Sequence, residues 1–412
     1  MKTYEQTLQW MFAQLPYYQN KGNSAYRPGL ERVEKLARYL GNPENAIKAI
    51  HIAGTNGKGS TAHMIASVLI ESGYQVGLFI SPHFLDYRER ITINGKKISK
   101  QYVQKFIEQH YQFLVQWKIS FFEMNMGLAL SYFKAKKVDY VVIEVGLGGR
   151  LDATNIAKPI LSIITNIGLD HTEYLGNSLE KIALEKAGII KPNVPILVGE
   201  KQAKTQKVFE SVSQSKKAPL FYSKNNLTIE KQFQNWPKYQ HKNIQTAMSA
   251  LKLIEKRERI TLNIKQGIQN TNKKTTFLGR WQIVSRQPKV ILDVAHNQEG
   301  FQEIINQLGL YSYDQLRLVM GFVKGRNHRE LFEMLPQKSI WYLSSPRVER
   351  AKSIAELRDD ISHHPLPKYQ FFKTIEQAFE KAHTEAHPND VVLVCGSTFV
   401  VAEILEKLQC ES

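Results

Sequence analysis

The sequence is poor in cysteine. Its 412 residues contain two, Cys395 and Cys410, too few for a disulfide framework or a four-cysteine zinc site. Cys395 follows the apolar run Val391 to Val394 and is expected as a buried strand residue; Cys410 is expected to be inert near the terminus. Long apolar runs are missing as well, and no segment approaches the length of a membrane span. The first residues, MKTYEQTLQWMFAQLPYY, have polar residues throughout. They lack the apolar block and small-residue cleavage site of a secretory signal. These absences point to the cytoplasm and away from a membrane. No internal repeat, arginine-rich arm or aromatic-and-basic stacking motif is visible. Nucleic acid is therefore not an expected partner, in spite of a formal charge of +17. Lysines in helix-like stretches such as YFKAKK and ALKLIEKRERI assign most of that charge to a solvated face. A multiply anionic substrate still benefits from the positive potential.

What is present is enough apolar material, 42%, to bury more than one core, in a chain whose length suits two domains. Short apolar runs alternate with amphipathic stretches, the pattern of βα units around a mostly parallel sheet. A leader with helical spacing, Tyr26 to Leu40, precedes a strand at Ile47 to Ile52. Further strands are expected at Val76 to Ile80, Tyr140 to Val145, Leu161 to Ile164 and Pro195 to Val198. Helices are expected from about Thr61 to Ser72, over Lys100 to Trp117, around Met124 to Phe133, and over Asn243 to Ile254. Ala203 to Pro237 is polar and patternless and reads as a variable part with an antiparallel edge. A second block opens near Thr276, with strands at Lys289 to Leu292, Leu316 to Met320, Ile340 to Leu343 and Val391 to Val394, and a helix from about Asn297 to Leu308. The fold class is α/β: a P-loop-containing, mostly parallel sheet domain over residues 1–275, followed by a second Rossmann-like α/β domain over 276–412.

The sharpest short motif is GTNGKGS, residues 54–60, between a strand and a helix. Gly54, Gly57 and Gly59 let backbone N–H groups converge on phosphate oxygens, and the helix N-terminus adds its dipole. Lys58 reaches β and γ phosphates; Ser60 or Thr61 offers a hydroxyl to phosphate or Mg²⁺. The extra glycine after the lysine argues against an ordinary GTPase, and Lys58 against a dinucleotide fold.

Polar residues gather at other strand ends, where α/β sheets bind ligands. Glu144 ends YVVIE and is placed to bind Mg²⁺, or else to cap the glycine turn that follows. Asp170 and His171 lie just past LSIITN. His171 reads as a metal ligand, a proton carrier or a structural histidine. Ser81, Pro82 and His83 follow the second strand. Lys186 has no role on pattern alone, where exposure is the default for a lysine. In the second block Arg280, Asp293, His296 and Asn297 surround the strand KVILD. Arg280 is placed to neutralise phosphate charge and Asp293 to grip adenosine or an amine, although loop and capping roles stay open. Two domains meeting over ATP would keep water from an acyl phosphate.

These motifs resemble the folylpolyglutamate synthases and bifunctional dihydrofolate/folylpolyglutamate synthases, relatives of the Mur ligases. HIAGTNGKGST, ISPHF with RERI, FFE, EVGLGGRLDATN, TNIGLDHTEYLG, IALEKAGI, LGRWQ, ILDVAHN and CGSTFVVAE stand in family order over nearly the whole chain. The resemblance implies an ATP-dependent ligase that joins L-glutamate to dihydropteroate, to reduced folates, or to both, through an acyl phosphate. It implies a phosphate loop of Gly54, Thr55, Asn56, Gly57, Lys58, Gly59, Ser60 and Thr61. Mg²⁺ would be held by Ser81, Glu144 and His171, and Lys186 would carry a carbamate. Asn243 would lie near the base, and Arg280, Asp293 and His296 would grip ATP from the second domain, which also binds glutamate. Pterin contacts would come from Pro82 to Arg90 and the leader. K⁺ near the phosphates and a monomeric state are also implied. A single-step enzyme or a nucleic-acid-dependent P-loop ATPase are the alternatives. Three positions depart from the family pattern: Gly325, Arg326 and Asn327 replace an acidic-lysine-acidic trio, Tyr239 replaces a histidine, and Met126 replaces a threonine.

Overall fold

The computed structural model describes residues 3–14, 28–223, 231–324, 328–362 and 368–410. Gly325, Arg326 and Asn327, and the start of the expected leader helix at Tyr26 and Arg27, lie outside the described residues. The chain forms two compact units. The larger ends at Trp236 and resumes over Gln240–Phe277; the smaller takes Pro237–Tyr239 and the residues from Leu278 onward.

Among the described residues the larger unit holds one eight-stranded sheet. Its strands are β1 (Ala49–Ala53), β2 (Val76–Phe79), β3 (Ile91–Ile93), β4 (Lys96–Lys97), β5 (Tyr140–Glu144), β6 (Pro159–Ile164), β7 (Ile196–Val198) and β8 (Leu220–Tyr222), in the order β4-β3-β2-β5-β1-β6-β7-β8. The six from β2 to β8 in that order are parallel. β5 shows why its sequence is nearly all apolar. Tyr140 and Val142 enter one core cluster, with Ile65, Val68 and Leu69 of the helix Lys58–Glu71 and Ile244, Leu251 and Ile254 of the helix Lys238–Glu258. Val141 and Ile143 enter another, with Phe106 and Ile107 of the helix Lys100–Gln116 and Met124 and Leu128 of the helix Phe121–Ala135. Side chains alternate across a strand, so a sheet covered by helices on both faces needs apolar residues at every position.

Two expectations are corrected. The stretch from Ala203 contains a helix, Ala203–Ser215, and β8 runs parallel to β7. The antiparallel edge is at the other end of the sheet, where β3 pairs with β2 and with β4. Asn94 and Gly95 between β3 and β4 have φ of 47° and 74°, the paired positive values of a two-residue hairpin turn. The helix after the glycine loop starts at Lys58 rather than Thr61.

The smaller unit holds β9 (Gln282–Arg286), β10 (Lys289–Leu292), β11 (Leu316–Met320), β12 (Ser339–Leu343), β13 (Lys368–Phe371) and β14 (Val391–Cys395), in the order β13-β12-β11-β14-β10-β9. Among the described strands of this unit only β9 runs antiparallel, against β10. Its core joins Ile291, Leu318 and Leu393 to Phe301, Phe332 and Trp341. Cys395 is a buried strand residue whose thiol pKa burial drives up, and Cys410 is exposed. Among the described residues no helix is long and apolar enough to cross a membrane.

Candidate active site

In the first sheet β2, β5, β1 and β6 are neighbours and parallel. Their ends and the segments that follow them therefore open along one edge; Glu144 ends β5, and the following segments carry Ser81, the glycine loop and His171. Residues spread from Gly54 to His171 are brought to one place by strand order alone.

The glycine loop is held by its neighbour after β6. Thr55 N donates to Asn166 O at 3.0 Å, and Asn56 N to Asn166 Oδ1 at 2.9 Å. The Thr165 hydroxyl donates to Asn56 O at 2.6 Å. A side chain at Gly54 has no room: its Cβ would fall 1.8 Å from Thr165 Oγ1, at a φ of +149°. Gly57 caps the following helix at φ +80°, and a Cβ there would fall 2.1 Å from Asn243 Oδ1. Bare backbone at these two positions is what a phosphate cradle requires. Ser60 Oγ accepts from Gln240 Nε2 at 3.2 Å, and Gln240 Oε1 accepts from Asn243 Nδ2 at 2.9 Å. Gly59 and the buried Thr61 lie in the helix's first turn.

Two lysines share one carbonyl oxygen. Lys58 Nζ donates to Gly54 O and to Thr55 O, each at 3.0 Å, and Lys186 Nζ donates to Gly54 O at 2.8 Å. Lys186 is buried, against the expectation of an exposed lysine. Its pKa is lowered to about 7, chiefly by burial and next by the positive charge of Lys58, against the pull of Asp170 and Asp152.

Lys186 is placed there by a staple between two motifs. In EVGLGGRLDATN, Arg150 N donates to Glu185 O at 2.8 Å, and Asn155 Nδ2 donates to both Arg150 O and Gly188 O at 3.0 Å. A Cβ at Gly188 would fall 2.4 Å from Arg150 Cα, so the EKAG segment closes on the other backbone without a gap.

Glu144 is buried at the end of β5, and its Oε2 accepts from Ser81 N at 3.1 Å. This brings a carboxylate and the residue bearing a hydroxyl together, hard oxygen donors of the kind Mg²⁺ takes alongside water and phosphate. His171 comes from the loop after β6 at φ +52°, with its N–H on Asp170 Oδ1 at 2.9 Å and its Nε2 3.9 Å from Asp170 Oδ2. Among the described residues no three His, Cys, Asp or Glu side chains converge as a metal cage.

The loop after β2 folds on Glu89, which accepts from Phe84 N at 2.7 Å and Asp86 N at 3.0 Å. His83 Nδ1 accepts from Arg90 Nε at 2.9 Å. Burial and the adjacent Arg90 charge lower the His83 pKa to about 3. Phe12 of the helix Tyr4–Gln14 lies against His83, Tyr87 and Phe121. Met126 is buried in the core.

In the smaller unit Asp293 is buried, and burial raises its pKa against the hydrogen bonds it accepts. Its Oδ2 takes the Tyr239 hydroxyl at 2.6 Å and Trp281 N at 2.8 Å, and its Oδ1 takes Ala295 N at 2.9 Å. Tyr239 thus gives the departure from histidine a donor role. His296 Nδ1 is 2.8 Å from Val294 O, Arg280 donates to Gly279 O at 3.2 Å, and Asn297 caps the helix Gln298–Leu308.

Sequence reasoning missed Thr165 and Gln240, which close the loop from other segments. It also left His51 and Thr154 without a role. Their motifs were visible, but nothing in one chain's pattern says which side chain of a strand faces which turn.

The chain matches the Mur ligase middle domain over residues 52–270 and the glutamate ligase domain of Mur ligases over 279–398. It is 32% identical to the dihydrofolate synthase/folylpolyglutamate synthase of Escherichia coli over 415 residues, 95% of this chain and 94% of that protein. It is 30% identical to a probable bifunctional folylpolyglutamate synthase/dihydropteroate synthase of Haloferax volcanii, of which it spans only 48%. The structure of E. coli FolC in complex with DHPP and ADP superimposes with a TM-score of 0.85 at 28% identity, over 100% of this chain and 98% of that one. A bifunctional folylpolyglutamate synthase/dihydrofolate synthase with Mn, AMPPNP and L-glutamate bound gives a TM-score of 0.84 at 30% identity, over 99% and 98%. The loop, the stapled lysine and the order of the motifs along both units therefore have a shared origin: this chain belongs to the dihydrofolate synthase/folylpolyglutamate synthase family of the Mur ligase superfamily, ATP-dependent ligases that join glutamate to folates.

Proposed function

We propose that this chain works on both acceptors of its family, joining L-glutamate to dihydropteroate and to reduced folates, as a cytoplasmic monomer. The ATP chemistry is carried by the two lysine amines on Gly54 O, in a bare-backbone loop at the edge where Glu144 and Ser81 meet; the two acceptors are those in the name of the E. coli relative, dihydrofolate synthase/folylpolyglutamate synthase. The relatives' structures with DHPP and ADP, and with Mn, AMPPNP and L-glutamate, supply the ligand classes.

The acceptor carboxylate attacks the γ-phosphorus of ATP. A P–O bond to ADP breaks, and an acyl phosphate forms. The glutamate amine then attacks its carbonyl carbon, phosphate leaves, and the amine proton passes to solvent. Such transfer needs positioning and charge neutralisation more than covalent help. Lys58 leaves its two loop carbonyls to follow the γ-phosphoryl group, while Gly54 to Thr61 hold the phosphates through backbone N–H groups and hydroxyls. Ser81, Glu144 and His171 would hold Mg²⁺, which when bound neutralises phosphate charge. Lys186, poised near neutral pH, offers the uncharged amine that adds to CO₂; the new C–N bond releases a proton and leaves a carbamate anion. K⁺ would accompany the phosphates. Asn243 lies against Gly57 and is assigned to the base side of the nucleotide, and Arg280, Asp293 and His296 to nucleotide contacts from the smaller unit. The Pro82 to Arg90 loop and the leader are assigned to the pterin.

The test is glutamate-dependent phosphate release from ATP, run separately with dihydropteroate and tetrahydrofolate. Turnover with both is expected. Turnover with one reduces the proposal to a single-step enzyme, and silence with both, from folded protein given Mg²⁺, K⁺ and bicarbonate, overturns it.

A further inference from the structure

His51 lies in β1, three residues before Gly54, with its ring fully buried. Alternation along the strand sets it on the face opposite Ile50 and Ile52, beside the segment that follows β5. Its Nε2 is 2.9 Å from Thr154 Oγ1. The Thr154 hydroxyl also meets Asp152 Oδ1. Asp152 further accepts from Thr154 N at 3.0 Å and, through Oδ2, from Leu147 N at 2.8 Å.

The directions of these bonds are fixed by counting protons. Burial raises the Asp152 pKa, against the hydrogen bonds it accepts from Thr154 and Leu147; in its ionised form the carboxylate only accepts, so the single hydroxyl proton of Thr154 goes to Asp152. Thr154 Oγ1 then has only lone pairs to offer His51, and the imidazole proton is on Nε2. The bare Nδ1 is consistent with its having no hydrogen-bond partner. Burial foremost, and the charge of Lys191, lower the His51 pKa to about 3, so the ring stays neutral. The relay runs from His51 through Thr154 to Asp152, and Asp152 holds the amide of Leu147, three residues after Glu144.

We infer that His51 is a positioning residue for the reaction: through Thr154 and Asp152 it fixes the turn after Glu144 relative to the strand that launches the glycine loop. Two separate strand ends are thereby locked by a side-chain link as well as by the ladder between β1 and β5. Without it the Thr154 hydroxyl loses the partner that aims it at Asp152, and the turn after Glu144 loosens.

Amide hydrogen exchange of the free chain tests this without catalysis. His51→Leu should speed exchange at Leu147 and Thr154 by about tenfold or more, the loss of a hydrogen bond to a charged network. His51→Gln, whose Nε2–H reaches the same way, should keep wild-type protection. Thr154→Val, which also removes the hydroxyl bond to Asp152, should speed Leu147 exchange at least as much as His51→Leu, and it carries the test if His51→Leu does not fold. Amides of Val141 and Val142 serve as controls. Unchanged Leu147 exchange in His51→Leu and Thr154→Val overturns the relay, and so does equal acceleration at the control amides. In turnover, the Mg²⁺ concentration for half-maximal rate should rise about tenfold in His51→Leu and return in His51→Gln, with the acceptor KM unmoved. This last readout rests on the metal role proposed for Glu144. Faster Leu147 exchange with no change in Mg²⁺ dependence supports the relay and rejects that metal role.

Discussion

Lys186 lets the larger unit's stability be predicted as a function of pH. The folded chain holds its pKa at about 7, against an ordinary lysine value of 10.5. Between those values the unfolded chain carries a proton that the folded chain has released. Unfolding takes that proton up, so stability rises with pH. The slope approaches about 1.4 kcal/mol per pH unit, and the whole window is worth on the order of 5 kcal/mol. Lys186→Met keeps the unbranched side chain but for its last atom and removes the titration. In CO₂-free buffer, urea unfolding of the wild-type larger unit should therefore gain about 2 kcal/mol relative to the variant from pH ~7.5 to ~9. Comparison with the variant cancels other titrating groups, Lys191 included. The lost bond to Gly54 O is a constant offset, because a neutral amine still donates. Parallel stability–pH curves for the two proteins would refute the claim that burial and Lys58 hold this amine near neutrality.

Lys58→Ala and Glu144→Ala should each lower the rate of phosphate release by about a hundredfold or more while leaving the circular dichroism spectrum intact; full ligation by either folded variant rejects that residue's role. Gly188→Ala would drive a methyl group into the Arg150 backbone, 2.4 Å away. The staple should open at a cost of about 1–3 kcal/mol, read as a lowered melting temperature together with faster exchange of the Arg150 amide. An unchanged Arg150 amide would show that the two motifs are not held by close backbone contact.

Much of this architecture is legible in the amino-acid sequence. The buried parallel strands stand out as short apolar runs, because both faces of the sheet are covered. Glu144 and the glycine loop are found because strand ends are where such sheets bind ligands. The stretch after Ala203 misleads because its helix presents few apolar positions, Phe209 among them, to a long polar surface. The antiparallel edge is in fact signalled, by Asn94-Gly95 between ITI and KK. Lys186 is illegible from local pattern, since its burial depends on a partner segment more than thirty residues away. The same holds for His51, whose role is set by the direction of a hydroxyl proton in another loop.

The order β2-β5-β1-β6 also bears on how the chain tolerates change in length. Neighbouring strands lie about 4.8 Å apart, so the four strand ends span roughly 15 Å whatever the length of the crossovers between them. The hairpin β3–β4 and the helices Lys100–Gln116 and Phe121–Ala135 all intervene between β2 and β5 without entering the spacing of Ser81 from Glu144. Insertions and deletions there are absorbed by the covering layer, whereas a one-residue change at a strand end moves a candidate site residue. Descendants of this sequence can therefore drift in size through their crossovers and keep the same chemistry.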